Sequence, residues 1–370
     1  MSGPERTISR HPSQAPDELK PPVTAVGPLG WLRKNLFNTP FNAILTCLTL
    51  FFLWKTVPPL LRWAFVDAQW LSPSSVCRQS EGACWSVISQ NLRFILFGFY
   101  PYEQQWRPTA AMILLLGLVF FSRDRRFWTK ALAYAWIVGL ATMGTLMAGG
   151  LFGLTPVEST QWGGLPLTLL LAVFGLTAAY PLGVLLALGR QSRLPAVKLL
   201  CVVYIELIRG VPLISLLFMA SIIFPLFLPA GITINKILRA QAAIILFTAA
   251  YIAEVVRGGL QAIPKGQYEA AESLGLNYYL TMRLVVLPQA LKIVIPPTVS
   301  ILISAFKDTS LVVIIALYDV LKTTQTVLSN PEWMGFSREA YLFLALLYFT
   351  GCFSMSHYSR RLEKQLSTEH

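Results

Sequence analysis

The sequence predicts an all-α integral membrane protein with about eight transmembrane helices, and three observations predict it. Of the 370 residues, 55% are hydrophobic and only 13% charged, with a mean hydropathy of +0.57, where soluble domains carry about a quarter charged residues. Apolar runs recur at the roughly 20-residue length that crosses a hydrocarbon layer. Basic residues gather at alternate ends of those runs, the pattern that retention on one side of a membrane leaves behind.

In chain order, residues 1–40 open as a polar, proline-rich segment read as a disordered cytoplasmic tail. The first apolar run begins near Phe41, too far in for a signal peptide. It defines a first span at 41–66, with Pro58-Pro59 and Arg62 towards its far end. A polar, aromatic-rich loop at 67–107 follows, in which 92–99 is too short to cross and is expected at the interface. The second span, 108–121, is short unless its flanks extend it, and the third is 131–154; together 41–160 make an N-terminal extension. Beyond Pro156 the spans lengthen and proline punctuates them. They fall at 165–188, at 199–228 with an interruption at Gly210 and Pro212, and at 239–256 with Gly258-Gly259 as a helix stop. The last two are 288–305, containing Pro296-Pro297, and 340–355, leaving 359–370 as a basic tail.

Arg33-Lys34, Arg123/Arg125/Arg126/Lys130, Arg190/Arg193/Lys198, Arg257/Lys265/Arg283 and Arg360/Arg361/Lys364 all fall on one side of an eight-span chain. That side is the cytoplasm, with both termini in it. The same placement accounts for the net charge of +12. No basic run is interleaved with aromatics, so nucleic acid is not expected as a partner. Cys47, Cys201 and Cys352 sit in apolar runs, while Cys77 and Cys84 share one loop facing outward. Those two are the only pair placed to bridge, and spacing alone leaves the bridge open. No His or Cys cluster has metal-ligand spacing, and His11, His357 and His370 lie near the ends, so no metal is expected.

Residues 266–288, GQYEAAESLGLNYYLTMRLVVLP, are the longest polar insertion in the C-terminal half. The residues 267–274 read as a short helix carrying Glu269, Ala270 and Ala271. Glu269 would lie near the positive end of the helix dipole, and the two alanines would let another protein approach the backbone. Gly275 suits the left-handed turn that ends the helix. Asn277 can cap a second helix to about Val286, and Pro288 fits the first turn of the next span after Leu287. An ordinary cytoplasmic loop is the plainer reading.

Ionisable groups also fall within or beside the spans. Glu206 and Arg209 are three apart on one helix face, just before Gly210-Val211-Pro212 breaks it, and Glu254 and Arg257 repeat the spacing. Lys307-Asp308 closes the seventh span. Charges at such depth mark a substrate path or gate, or neutralise their neighbours. Neutralisation is the better account of Glu254/Arg257, whereas Pro212 and the broken helix leave Glu206/Arg209 open. No phosphate-cradling GxxxxGK[ST], no HExxH and no nucleophile elbow occurs, so no catalytic residue is expected on this chain.

The EAA triplet at 269–271, with Gly275, Val285, Leu287 and Pro288 at their offsets, resembles the loop by which permeases of ABC importers dock on a separate ATPase. Three further stretches, 204–213, 251–259 and 307–311, resemble the polar and general L-amino-acid permeases of the histidine/glutamine type. The resemblance covers about residue 163 onward. Where many members carry a glutamine shortly after Leu213, this chain has Ile214-Ser215. The three-span extension and the Gly82-Ala83-Cys84-Trp85 loop match the general amino-acid members more loosely. The resemblance implies a type-I, MetI-like core of five spans at 161–358, with 266–288 coupling to the ATPase. It further implies a paralogous second permease in a heterodimer, two ABC ATPase subunits holding ATP and Mg, a periplasmic amino-acid-binding protein, and a bacterial inner membrane. A rival of the same class is the same ABC machine carrying another small polar solute, and the rival from a different class is an ion-coupled secondary transporter using the membrane carboxylates; a non-transporting scaffold fits the broken helix poorly.

Overall fold

The computed structural model describes residues 27–229 and 231–367, which are helical almost throughout. The contacts divide the chain into two units that meet between Ala68 and Gln69. In the first, α1 (Gly27–Asn35) precedes α2 (Pro40–Leu61). Thr39 caps α2 by accepting the Asn42 amide at 3.2 Å, and Pro40 takes its first turn. Continued to Val66, α2 makes a 27-residue span with none of its side chains buried. An apolar helix with no buried side chain is suited to lipid as its surroundings. Part of the segment read as a tail is therefore helical; the rest, 1–26, lies outside the described residues.

The second unit holds α3 (Ser86–Phe97), α4 (Trp106–Ser122), α5 (Lys130–Ala148), α6 (Gly164–Arg190), α7 (Pro195–Arg209) and α8 (Leu213–Phe218). These are followed by α9 (Lys236–Gln261), α10 (Lys265–Ser273), α11 (Leu287–Ile293), α12 (Ile295–Asp308), α13 (Val320–Leu328) and α14 (Ser337–Ser367). Among the described residues of the whole chain, seven helices are long and apolar enough to cross a membrane. The pair Pro195–Arg209 and Leu213–Leu226, bent by 104°, makes the eighth. The short second span reaches 21 residues because Tyr102–Gln104 and the first turn of α4 join it.

Several predicted limits move: the third span ends at Ala148 and not at 154, because Gly149-Gly150 leave the helix with positive φ, and two others move for a packing or covalent reason. The sixth span does not stop at Gly258-Gly259 but runs to Gln261. A Cβ on Gly259 would lie 2.9 Å from the Ala290 carbonyl oxygen, so this glycine serves close approach to α11, not termination. The seventh span does not run unbroken through Pro296-Pro297. The chain breaks at Val294 and the prolines occupy the first turn of α12, the one place where a missing N–H costs nothing. At the C-terminus α14 continues through Ser359-Arg360-Arg361.

The middle of the bundle is α6 against α9. Ala179, Ala187, Ala249, Ile252, Ala253 and Val256 are all buried there. A Cβ on Gly183 would sit 2.9 Å from the Ala249 carbonyl, so small residues bring the two backbones together, as in other membrane helix pairs. At the end of the bundle remote from the 266–288 insertion, the loop between α2 and α4 forms a cap. Cys77 and Cys84 are joined by a disulfide and pack with Ile95, Val320, Val327 and Trp333. Thr323 donates to the Ile95 carbonyl at 2.8 Å, and Arg78 donates to Pro331 at 2.6 Å. The α3 helix, expected at the interface, thus lies on α13. The extension from Gln69 onward is packed with the C-terminal helices in one unit, with no break near residue 160.

Candidate functional site

The 266–288 insertion hangs between α9 and α11. Its helix α10 starts at Lys265, two residues earlier than the sequence suggests, so Glu269 lies in the second turn and not at the dipole's positive end. The helix ends in a Schellman turn: Leu276 N–H donates to Ala271 O at 3.1 Å, Gly275 N–H to Glu272 O at 2.9 Å, and Gly275 has φ +75°. Asn277 then accepts the Leu280 amide at 2.9 Å and starts the next helical stretch. Tyr268 and Ala271, three apart, face the bundle, where Ala271 is buried and Tyr268, like Leu287, packs against the buried cluster of α6 and α9. Burial raises the Tyr268 phenol above its usual range. Glu269 and Ala270 face out and are exposed. Of the two alanines expected to meet a partner, only Ala270 is presented; Ala271 and Leu287 instead seat the helix on its own bundle, and Pro288 is exposed. Gln289 donates to Gln267 at 3.0 Å, which ties α10 to α11.

Five charged side chains, Arg190, Glu206, Arg209, Glu254 and Arg257, converge where α6, α7 and α9 meet. Glu254 is the hub: it faces Arg190 at 3.2 Å, Arg209 at 3.5 Å and Arg257 within its own helix. Arg257 also donates to Gln261 at 2.7 Å. Arg190 reaches Glu206 at 2.9 Å. The i,i+3 pairing of Glu254 with Arg257 is present, but Glu206 and Arg209 look across to other helices. Arg209, at the lip of the Gly210–Pro212 break, also lies over the Tyr251 ring at 5.6 Å. Pro212 stands in extended conformation and caps α8. The network therefore fastens the broken helix to α6 and α9. Arg190 escaped the sequence reading as a site residue because its spacing to Glu206 and Glu254 carries no helical period; it was counted only as a flanking charge. Lys307, exposed, and Asp308, half-buried, end α12 and are not part of the network.

Asp319 was also missed. It is fully buried at the start of α13, accepts the Lys322 amide at 2.9 Å and lies 3.5 Å from the Tyr348 hydroxyl. Burial pushes its carboxyl up to about 6, against the pull of the backbone amides. A lone Asp after an apolar run carries no signal of burial, though Asp319 one residue before a helix is an N-cap signature. No group of three His, Cys, Asp or Glu residues able to hold a metal occurs among the described residues.

A membrane-crossing bundle that breaks one span beside a charge network and slings a short helix from its end has the architecture of a transport permease. Residues 179–368 match the family model of the binding-protein-dependent transport system inner membrane component, and the chain belongs to that family. It is similar to the inner membrane amino-acid ABC transporter permease protein YhdY of Escherichia coli, 49% identical over 91% of this chain and 93% of the relative. It is also similar to the glutamate/glutamine/aspartate/asparagine transport system permease protein BztC of Rhodobacter capsulatus, 38% identical over 94% and 96%. A probable glutamine ABC transporter permease of Bacillus subtilis matches at 35%, over 91% of its own length but only 55% of this chain. The chain is thus a membrane permease and not an enzyme, in a system whose ATPase is a separate subunit.

Proposed function

We propose that this chain is the membrane subunit that moves L-amino acids inward across a bacterial inner membrane, driven by ATP hydrolysed on partner subunits that seat on α10. The observation that carries the reading is α10 itself, with Glu269 and Ala270 exposed and its inner face locked to the bundle. A docking helix must offer surface outward and yet transmit force inward, and this one does both. Its force has a short route: α9 ends at Gln261, and Arg257 and Glu254 stand about one and two turns back along the same helix. Motion of α10 thus reaches Arg209 and the broken α7–α8 span through the Glu254 network, which fits alternating opening of a central path. The basic residues at this end of the bundle support a reading in which it, and both termini, face the cytoplasm. Amino acids as cargo rest on the two relatives aligned over nearly the whole chain, both amino-acid permeases. A paralogous permease, two ATPases with ATP and Mg, and a periplasmic binding protein complete the machine.

Ion-coupled transport would need a membrane carboxylate free to bind its ion; of Glu206, Glu254 and Asp308, the first two are engaged by arginine, which leaves Asp308 as the carboxylate such a mechanism would have to use. Uptake in vesicles tests this: import that survives collapse of ion gradients and stops on ATP depletion supports the ATP-driven reading, and the reverse defeats it. Glu269→Lys tests the docking face. Because Glu269 is exposed, membrane insertion should be unchanged while ATP-driven uptake is lost; normal uptake would remove α10 from the coupling path.

A further inference from the structure

Beside α10, but outside the charge network, an open cavity of about 620 Å³ lies between the α6–α7 turn and residues 278–287. Its polar lining comes from both sides: Arg193 from the α6–α7 turn, and Tyr278, Tyr279 and Arg283 from the segment facing it. The rest is apolar and includes Leu194 and Val197, which are 64% and 40% exposed. The Arg193 guanidinium lies 5.8 Å from the centre of the Tyr278 ring, which holds its charge at the cavity mouth. No acidic residue lines the cavity, and neither arginine has an ion-pair partner among the described residues. That distinguishes them from Arg190, Arg209 and Arg257, all neutralised by glutamate.

The position of the cavity selects the ligand. The cavity sits at Leu188–Gly189, within the last turn of the 27-residue span α6, so it lies where a bilayer passes from acyl chains to headgroups. Tyrosines favour that depth. Unpaired arginines there match a phosphodiester in charge and in donor geometry. Exposed Leu194 and Val197 beside them offer apolar surface to an acyl chain, which a free phosphate would leave wet. Basic pockets of this kind beside membrane helices hold anionic headgroups.

We propose that this cavity binds an anionic phospholipid, its phosphate between Arg193 and Arg283 and a chain against Leu194 and Val197. The lipid would brace the stretch through which α10 rejoins the bundle, making the coupling segment sensitive to the leaflet's anionic content. The site rests on the helices crossing a membrane and not on ATP coupling, so its test reads lipid alone.

The full-length chain, purified in detergent, is offered phosphatidylglycerol and phosphatidylcholine of identical acyl chains, and retained lipid is counted by native mass spectrometry. Two arginines at a headgroup predict a preference for phosphatidylglycerol of roughly tenfold or more. Arg193→Gln with Arg283→Gln should bring the preference near unity, while Arg193→Lys with Arg283→Lys should keep most of it, showing that the loss is one of charge and not of folding. Equal retention of the two lipids by the native chain, or a preference that survives the glutamine pair, overturns the site. Loss of the preference in millimolar inorganic phosphate, with no dependence on acyl length, overturns it in favour of a free-anion site. ATP-driven uptake that persists while the lipid preference is absent removes this site and leaves the transport reading intact.

Discussion

Neutralising Glu254 should cost several times more than neutralising Glu206, although in the sequence the two are equivalent members of equivalent i,i+3 pairs. The asymmetry comes from the tertiary arrangement. Glu254 faces three arginines, Arg190 at 3.2 Å, Arg209 at 3.5 Å and Arg257, and its side chain is 23% exposed. Glu206 faces Arg190 alone at 2.9 Å and is 56% exposed. Solvent-screened pairs contribute about 0.5–1 kcal/mol each, so Glu254→Gln removes about 2 kcal/mol and Glu206→Gln about 0.5 kcal/mol. At roughly 2–4 °C per kcal/mol, the melting temperatures should fall by about 4–8 °C and about 1–2 °C. The assay is thermal unfolding of the purified permease in detergent, followed by a thiol-reactive dye or by light scattering. A double-mutant cycle between Arg190 and Glu254 should show coupling of about 0.5–1 kcal/mol. Equal losses for the two glutamates, or no Arg190–Glu254 coupling, would refute the hub geometry and restore the sequence's picture of two separate pairs.

Asp319 predicts a pH dependence. Its carboxyl is raised to about 6 from an ordinary 3.8, chiefly by burial. The protonated form is therefore favoured by folding: its contribution is complete below about pH 4 and disappears as pH rises through about 6. Asp319→Asn keeps a capping acceptor for the Lys322 amide, so the fall in melting temperature between about pH 5 and about pH 7.5 should be smaller in the variant than in the native chain; a parallel fall in both would place the titration elsewhere. Removing the cap's staple with Cys77→Ala and Cys84→Ala should cost about 2–3 kcal/mol, as expected for so short a closed loop. The same drop should follow reduction of the native chain, and protease should then cut first within 69–100; unchanged melting after reduction would show that the loop is held by its docking on α13 alone.

Much of this protein can be read before any coordinate is known. Span positions, the break at Gly210–Pro212, the Asn277 cap and the Gly275 turn are local: each depends on residues within one or two helical turns, through hydrophobic length, backbone freedom or a missing N–H. The EAA triplet belongs to the same category, and its helix formed within two residues of the expected start. What the sequence alone left undecided depends on chain segments far apart meeting. Which alanine faces outward followed from Tyr268 and Leu287, 19 positions apart, both packing against the same buried cluster of the bundle. Gly259 looked like a stop until Ala290 lay against it. Arg190 looked like a flanking charge until α6, α7 and α9 brought it between Glu206 and Glu254. The burial of Asp319 and the seating of the disulfide loop on α13 belong here too. Helix formation is decided largely by short-range backbone energetics, so the sequence by itself determined which segments form apolar rods, while several of their limits shifted on packing. Which faces touch, which charges pair and which arginines remain unpaired are set by three-dimensional packing, and only the tertiary structure decided those.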